Sequence, residues 1–119
     1  MADTKEPSGA QKTFGDFAPD LVHYTDDVLF GEAWADARLS PRDRSLVTVA
    51  SLITSGSVEQ LDFHLPNARN NGVTEDELKV AISHLAFYAG WPKAMSAMAA
   101  AKHLFAGSQS ARSERREEH

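Results

Sequence analysis

His64 is the side chain in this sequence with the clearest capacity for chemistry, and it lies in the segment EQLDFHLPNARNNG (59–72). An imidazole titrates near neutral pH, so it can give or take a proton as a general acid or base. Gln60 lies one helical turn before it, next to Glu59, and both could contact a substrate. The competing interpretation is a partly buried structural histidine whose ring bonds a carbonyl that Pro66 leaves unpaired. The spacing alone leaves both interpretations open.

His84 and Tyr88 form a second candidate group. They are four residues apart, so we expect them to be neighbours on the surface of one helix. As hydrogen-bond donors they could hold a carboxylate or a developing enolate. They could equally be amphipathic side chains at the edge of an oligomer interface.

A third group combines Glu32 and Trp34 with the arginines that follow them, Arg38, Arg42 and Arg44. This grouping indicates either a pocket for an anionic substrate or a set of surface ion pairs. Composition does not separate the two.

Composition does exclude several kinds of chemistry. The sequence has no cysteine, which excludes disulfides, thiolate metal sites and thiol redox catalysis. No two of its histidines are three or four residues apart, and there is no HExxH pattern. A single helix therefore supplies no pair of histidine ligands, and we expect no metal site.

Length and charge limit the partners. The chain has 119 residues with a net charge of −5, which suits one small domain. The charges of residues 1–13 and of residues 108–119 each cancel, so the negative excess falls within residues 14–107. We expect no nucleic-acid binding, because that requires clustered basic side chains. Residues 1–13 are predicted to be a disordered segment and residues 108–119 a flexible tail.

The apolar runs are shorter than the roughly 18–20 residues that a membrane span needs. The first residues, MADTKEPSGAQK, contain no apolar signal segment. We therefore expect no membrane partner and a cytoplasmic location.

Capping residues mark the helices that must position these groups. Ser40 before Pro41 predicts a helix start, and Thr74 with Glu77 forms a capping box at another. Asn71-Gly72 predicts a helix end, and Pro66 predicts a kink or break close to His64. The predicted helices cover about residues 16–35, 41–54, 57–71, 75–89 and 91–105.

Short connections and the absence of hairpin signals predict an all-α fold, a compact bundle of about five to six helices over residues 14–107. The helix over 75–89 is apolar on two sides, with Leu78 and Ile82 on one and Val80 and Phe87 on the other. A core of this size does not absorb both sides. We therefore expect a homo-oligomer.

Four segments resemble the carboxymuconolactone decarboxylase family: LFGEAW (29–34), LSPRDRSLVTVASL (39–52), EQLDFHLPNARNNGVTEDELK (59–79) and HLAFYAGWPKAMSA (84–97). The pattern H-x-x-x-A-x-x-x-G-V-T-x-x-E-L from His64 to Leu78, followed by Y-x-G-x-P from Tyr88 to Pro92, is specific. The resemblance implies an all-helical fold of the alkyl hydroperoxidase D type that assembles as a homotrimer or homohexamer.

The alkyl hydroperoxidase D proteins carry C-x-x-C-x-x-x-H with an upstream glutamate as a thiol redox and proton relay. When this motif is aligned with the present sequence, its histidine corresponds to His64 and its two cysteines to Ser57 and Gln60. Its glutamate falls near Ser45. Because no thiolate is present, the resemblance implies a cysteine-less branch without thiol peroxidase activity.

The decarboxylase branch implies a carboxy-lyase that decarboxylates or isomerises a small unsaturated lactone or related acid, as in the catabolism of aromatic compounds. The substrate supplies its own electron sink, so no cofactor is implied. Within that reaction we assign His64 as the acid/base, His84 and Tyr88 as donors to the dienolate oxygen, and Arg44 as the residue that holds a substrate carboxylate. The other predicted substrate contacts are Glu32, Trp34, Glu59, Gln60, Phe63 and Trp91.

We expect the pocket to lie between helices, at a subunit interface, with His64, Trp34, Phe63 and His84 in its wall. The alternative is a non-catalytic helical oligomer, a binding or scaffold protein of the same fold. In that case His64 is packed with no cavity beside it.

Overall fold

The structure is a computed structural model that describes residues 8–117, with the backbone alone over 107–117. Its described part is helical and contains no strand, which confirms the all-α prediction. Contacts divide the chain into two compact units, one ending at Leu39 and the other beginning at Ser40.

The first unit contains α1 (Gly9–Phe14), α2 (Pro19–His23) and a π-helical segment (Tyr24–Ala33) that follows α2 directly. The sequence predicted one helix over about 16–35. The helix begins later because Ala18 precedes a proline and has a non-helical backbone (φ −138°, ψ 68°), so Pro19 takes the first helical position. Nothing in the structure explains the wider winding from Tyr24 onward.

The short helix α1 lies within the segment predicted to be disordered. Ser8 caps it, since its hydroxyl accepts from the backbone N–H of Gln11 (3.0 Å) and donates to Asp26 (2.8 Å). The structure therefore differs from the prediction at residues 9–13. Residues 1–7 lie outside the described residues.

The second unit contains four helices and a 3₁₀ turn, and capping signals begin two of the helices where they were predicted. The Ser40 hydroxyl accepts from the backbone N–H of Asp43 at 3.1 Å. Thr74 accepts from the Glu77 N–H (3.1 Å) while the Glu77 carboxylate accepts from the Thr74 N–H (2.9 Å), which completes the capping box. The elements are α3 (Pro41–Ser55), the turn (Val58–Gln60), α4 (Leu61–Asn70), α5 (Glu75–Ala89) and α6 (Trp91–Glu117).

The sequence predicted a kink or break near His64, and the break is wrong, because α4 continues through Pro66 to Asn70. A proline at this position leaves the carbonyl of Asp62 without its helical partner. Asp62 is exposed, so water can satisfy that carbonyl. The helix ends as predicted at Asn71-Gly72, where Gly72 has φ 101° and the Val73 N–H bonds the Ala68 carbonyl at 2.9 Å.

The last helix is longer than predicted. It was expected to end near residue 105, and its backbone remains helical to Glu117, within the segment predicted to be a flexible tail. Gly107 is not followed by proline, and the residues after it include Ala, Arg and Glu, which favour helix. Residues 118–119 lie outside the described part.

The core of the second unit forms where α3 packs against α4, α5 and α6, and α6 packs against α4 and α5. Three buried alanines on α6, Ala94, Ala97 and Ala101, allow the neighbouring helices to approach closely. The large side chains buried with them are Val49, Ile53, Leu61, Leu65, Val73, Leu78, Ile82 and Phe105. The second apolar side of α5 stays exposed, with Val80 at 68% and Phe87 at 77%.

Candidate active site

His64 lies on α4 between two fully buried leucines, Leu61 and Leu65. Its ring is half-buried, with Nδ1 shielded from solvent, and it meets the ring of Phe63 edge-on at 4.9 Å between centroids. Burial lowers the pKa of the His64 imidazole below its ordinary value, because the charged ring loses hydration. At neutral pH the neutral imidazole therefore predominates.

A cavity of about 180 Å³ lies where α3 ends, the 3₁₀ turn and α4 begin, and α6 begins. Leu61 lines it, one helical turn before His64. Most of its wall is apolar, and the apolar side chains are Leu52, Ile53, Val58, Leu61, Pro92 and Ala97. His64 itself is not among the residues that line this cavity. A mostly apolar wall with a few polar groups is typical of small-molecule sites.

Two polar side chains, Lys93 and Ser96, also line this cavity. The ammonium group of Lys93 donates to the backbone carbonyl of Thr54 at 2.8 Å, in the last turn of α3. Lys93 therefore lies across the cavity wall from α6 to the end of α3. The sequence prediction did not include it, because a lysine in the first turn of a helix looks like any solvated surface residue.

His84 and Tyr88 are neighbours on α5, as their spacing predicted, with ring centroids 4.9 Å apart. Both are exposed. His84 lines a broad apolar groove of about 540 Å³ between α3 and α5, together with Leu46 and Val80. His84 thus lies at a different depression from the one that Leu61 lines, and the joint action of His84 and Tyr88 with His64 stays a prediction.

The predicted substrate contacts are distributed over both units. Glu59 and Gln60 are exposed in the 3₁₀ turn that precedes α4. Trp91 is 57% exposed and packs edge-on against Phe87 at 5.3 Å. Phe63 is exposed beside His64. The residues that line the 180 Å³ cavity do not include His64, Phe63, His84 or Trp91. This cavity therefore does not bring the predicted site residues together.

In the first unit, Trp34 stacks on Phe30 with centroids 6.1 Å apart, and Glu32 is exposed. Two of the arginines near them in sequence form ion pairs. Arg38 pairs with Asp36 at 2.6 Å, and Arg42 pairs with Glu77. These contacts favour the ion-pair interpretation for Arg38 and Arg42.

Arg44 is half-buried in the first turn of α3. Its predicted role as the residue that holds a substrate carboxylate stays a prediction.

Ser45, near which the sequence resemblance placed the relay glutamate, is buried in the core at 1% exposure. Its hydroxyl accepts from the side-chain amide of Asn71 at 3.0 Å, so it links α3 to the end of α4. A serine held by an amide offers no carboxylate that could relay protons. The structure therefore indicates a structural role for Ser45, which is to link α3 to the end of α4.

We expect Ser45→Ala to lower the free energy of unfolding by about 0.5–1.5 kcal/mol, because the Asn71 amide loses its acceptor. Urea unfolding measures this change, and Ser51→Ala, an exposed serine of the same helix, is the control with little effect. Turnover should be unchanged in both variants. Loss of turnover in Ser45→Ala without loss of stability would assign Ser45 to the chemistry instead.

Among residues 8–106, whose side chains the structure describes, no cluster of three or more His, Asp or Glu side chains could hold a metal ion. No helix in this part of the chain combines the length and apolar character that a membrane crossing requires.

Residues 19–103 match the model of the carboxymuconolactone decarboxylase family, so the chain belongs to this family. It is 38% identical over 101 residues to a 4-carboxymuconolactone decarboxylase of Acinetobacter baylyi, covering 85% of this chain and 75% of that protein. It is also 38% identical over 69 residues to a nitrosuccinic acid decarboxylase of Metarhizium robertsii, covering 58% of this chain and 48% of that protein. Both relatives are named as decarboxylases, and the resemblance found in the sequence is confirmed.

Proposed function

We propose that this protein is a carboxy-lyase that removes CO₂ from a small carboxylic acid without a cofactor. The observation that carries the proposal is the half-buried His64, one helical turn after the leucine that lines an apolar cavity, in a chain of the carboxymuconolactone decarboxylase family. The test is CO₂ release by the purified protein from a panel of unsaturated lactone acids and nitro acids. Absence of CO₂ with every member of the panel would contradict it.

The relatives' names support a common chemistry for the substrate. A carboxymuconolactone and nitrosuccinic acid each have two carboxyl groups, and each has an electron-withdrawing group, a lactone carbonyl or a nitro group. When one carboxylate leaves as CO₂, its electron pair can pass into that group. The resulting oxyanion needs stabilisation, and one carbon needs a proton.

In this proposal His64 supplies the proton, as imidazolium, and regains it from solvent after CO₂ has left. The apolar cavity takes the departing carboxylate out of water, which favours loss of its charge. His84 and Tyr88 are proposed as donors to the oxyanion and Arg44 as a carboxylate contact. Because His84 lines another groove of the same chain, the proposal requires that a second copy supply this residue to the site.

The exposed apolar side chains of α5 support the proposal of a homo-oligomer. Val80, Phe87 and Tyr88 are 68%, 77% and 78% exposed, and large exposed apolar side chains gathered on one helix are typical of subunit interfaces. We propose a trimer or hexamer, which light scattering on the purified protein distinguishes. The same surface is compatible with the alternative of a non-catalytic oligomer, which predicts assembly without CO₂ release from any acid.

The lowered pKa of His64 gives the activity a specific pH dependence. Because the protonated ring is the proposed donor, kcat/KM should decline as pH rises through the free-enzyme pKa, which lies below 6.5. An anionic substrate beside the ring favours the imidazolium, so kcat should decline at a higher pH than kcat/KM. Initial rates between pH 4.5 and 8.5 measure both; identical profiles in wild type and His64→Gln would contradict the role of His64.

A further inference from the structure

Lys93 is the one charged side chain in the wall of the 180 Å³ cavity, whose lining contains no acidic residue. It is exposed on α6, and its ammonium group donates a hydrogen bond to the backbone carbonyl of Thr54 at 2.8 Å. A neutral carbonyl is a weaker partner for an ammonium group than a carboxylate, because hydrogen bonds between ionised groups are stronger. The chain has a net charge of −5, so the position of a lysine in the wall of an apolar cavity calls for an explanation.

The dimensions of the cavity limit what Lys93 could bind. Its volume of about 180 Å³ is below the roughly 300 Å³ at which pockets for drug-sized ligands begin. The apolar side chains Leu52, Val58 and Leu61 line it together with the polar side chains Lys93 and Ser96. Such a site suits a small acid that has an apolar or departing end and one carboxylate that remains charged.

We propose that Lys93 binds the carboxylate that the substrate retains, and so determines the specificity for diacids over monoacids. The proposal rests on the proposed decarboxylase function. Lys93 would exchange the Thr54 carbonyl for the substrate carboxylate, while the departing carboxylate lies against the apolar wall near Leu61. Lys93 keeps its proton throughout. The departing group leaves as CO₂, its electron pair passes into the substrate, and the proton comes from His64.

A structural role for Lys93 would leave a different signature. The last carbonyls of a helix are often bonded by lysine side chains, which stabilises the helix end. If Lys93 only caps α3, its removal would change stability and leave the discrimination between acids unchanged. Ligand discrimination, measured beside stability, therefore separates the two roles.

The experiment compares Lys93→Met, which removes the charge and keeps the length, with Lys93→Arg, which keeps the charge. Lys102→Met is the control, since Lys102 is exposed on the same helix and lines a different depression. Each variant is assayed with a diacid substrate and with its analogue in which the retained carboxyl group is a carboxamide. Binding of succinate, an unreactive diacid, is measured by calorimetry on the same proteins.

For the diacid we expect Lys93→Met to raise KM by about 10- to 100-fold, the equivalent of one charged hydrogen bond, with kcat within about threefold. KM for the carboxamide should be the same in wild type and variant. Lys93→Arg should restore most of the affinity, and Lys102→Met should resemble wild type. An equal effect of Lys93→Met on the diacid and the carboxamide, or no effect on either, would overturn the proposal.

The succinate measurement separates failure of this proposal from failure of the proposed function. One outcome is that no acid is decarboxylated, but succinate binds and Lys93→Met lowers its affinity about tenfold or more. In that case the proposed binding site is supported and the decarboxylase function is not. If CO₂ is released and neither succinate binding nor KM responds to Lys93→Met, the decarboxylase function is supported and the role of Lys93 is rejected.

Discussion

His64→Ala is expected to lower kcat by about 10²- to 10⁴-fold, the range that a positioned general acid contributes. The imidazole is half-buried on α4, and burial keeps its pKa below the ordinary value. Its imidazolium form is therefore a stronger acid than an exposed histidine and transfers its proton more readily to a carbanion. Steady-state CO₂ release under saturating substrate measures the effect.

The control for this variant is His103→Ala, because His103 is an exposed histidine on α6. It should retain wild-type turnover. Circular dichroism and light scattering establish that both variants keep the helical fold and the assembly of the wild type. If folded, correctly assembled His64→Ala turns over substrate at the wild-type rate, His64 is structural and the proposed mechanism is wrong.

Ile82→Ala is expected to lower the free energy of unfolding by about 2–5 kcal/mol. Ile82 has no exposed surface and lies in the core of the second unit, on the side of α5 that also buries Leu78. Its truncation removes buried methyl groups and leaves a cavity that close-packed neighbours fill only in part. Urea unfolding at fixed protein concentration measures the change, since assembly would make stability depend on concentration.

Val47→Ala on α3 is the control for the loss of aliphatic carbon at an exposed position outside the proposed subunit interface. Val47 is 62% exposed, so we expect a change within about 0.5 kcal/mol. Equal destabilisation by the two variants would mean that Ile82 has been assigned to the core incorrectly.

The parts of the fold that the sequence predicted well are those with local causes. The starts of α3 and α5 follow from Ser40 and from the Thr74–Glu77 capping box, each of which forms its bonds within one turn. The end of α4 follows from Gly72, whose φ of 101° suits glycine. Such interactions join residues three to five positions apart, so the sequence alone specifies them.

The wrong predictions concern positions at which a local sequence signal competed with tertiary packing or with a neighbouring proline. Pro66 was expected to kink or break the helix near His64. No break occurs, because α4 continues through Pro66 and buries Leu61, Leu65 and Ala68 completely on one face. Packing of three apolar side chains outweighs the loss of one hydrogen bond at an exposed carbonyl. In the first unit, Pro19 delayed the start of the predicted helix.

The candidate site was predictable in part. The contact between His84 and Tyr88 follows from helical spacing alone, and it is confirmed. Lys93 was missed because its position on the cavity depends on α6 meeting the end of α3, where its ammonium group bonds the Thr54 carbonyl. That contact spans 39 positions, and no local pattern encodes it.

The most direct test of the account is decarboxylation in D₂O by the purified protein after dialysis against a metal chelator. With 4-carboxymuconolactone and nitrosuccinic acid as candidate substrates, NMR follows the release of CO₂ and the isotope at carbon in the product. The account predicts one CO₂ and one carbon-bound deuterium per turnover of an accepted acid, with both lost together in His64→Ala. Intact acids after prolonged incubation with folded protein, or turnover that proceeds equally well without His64, would contradict it.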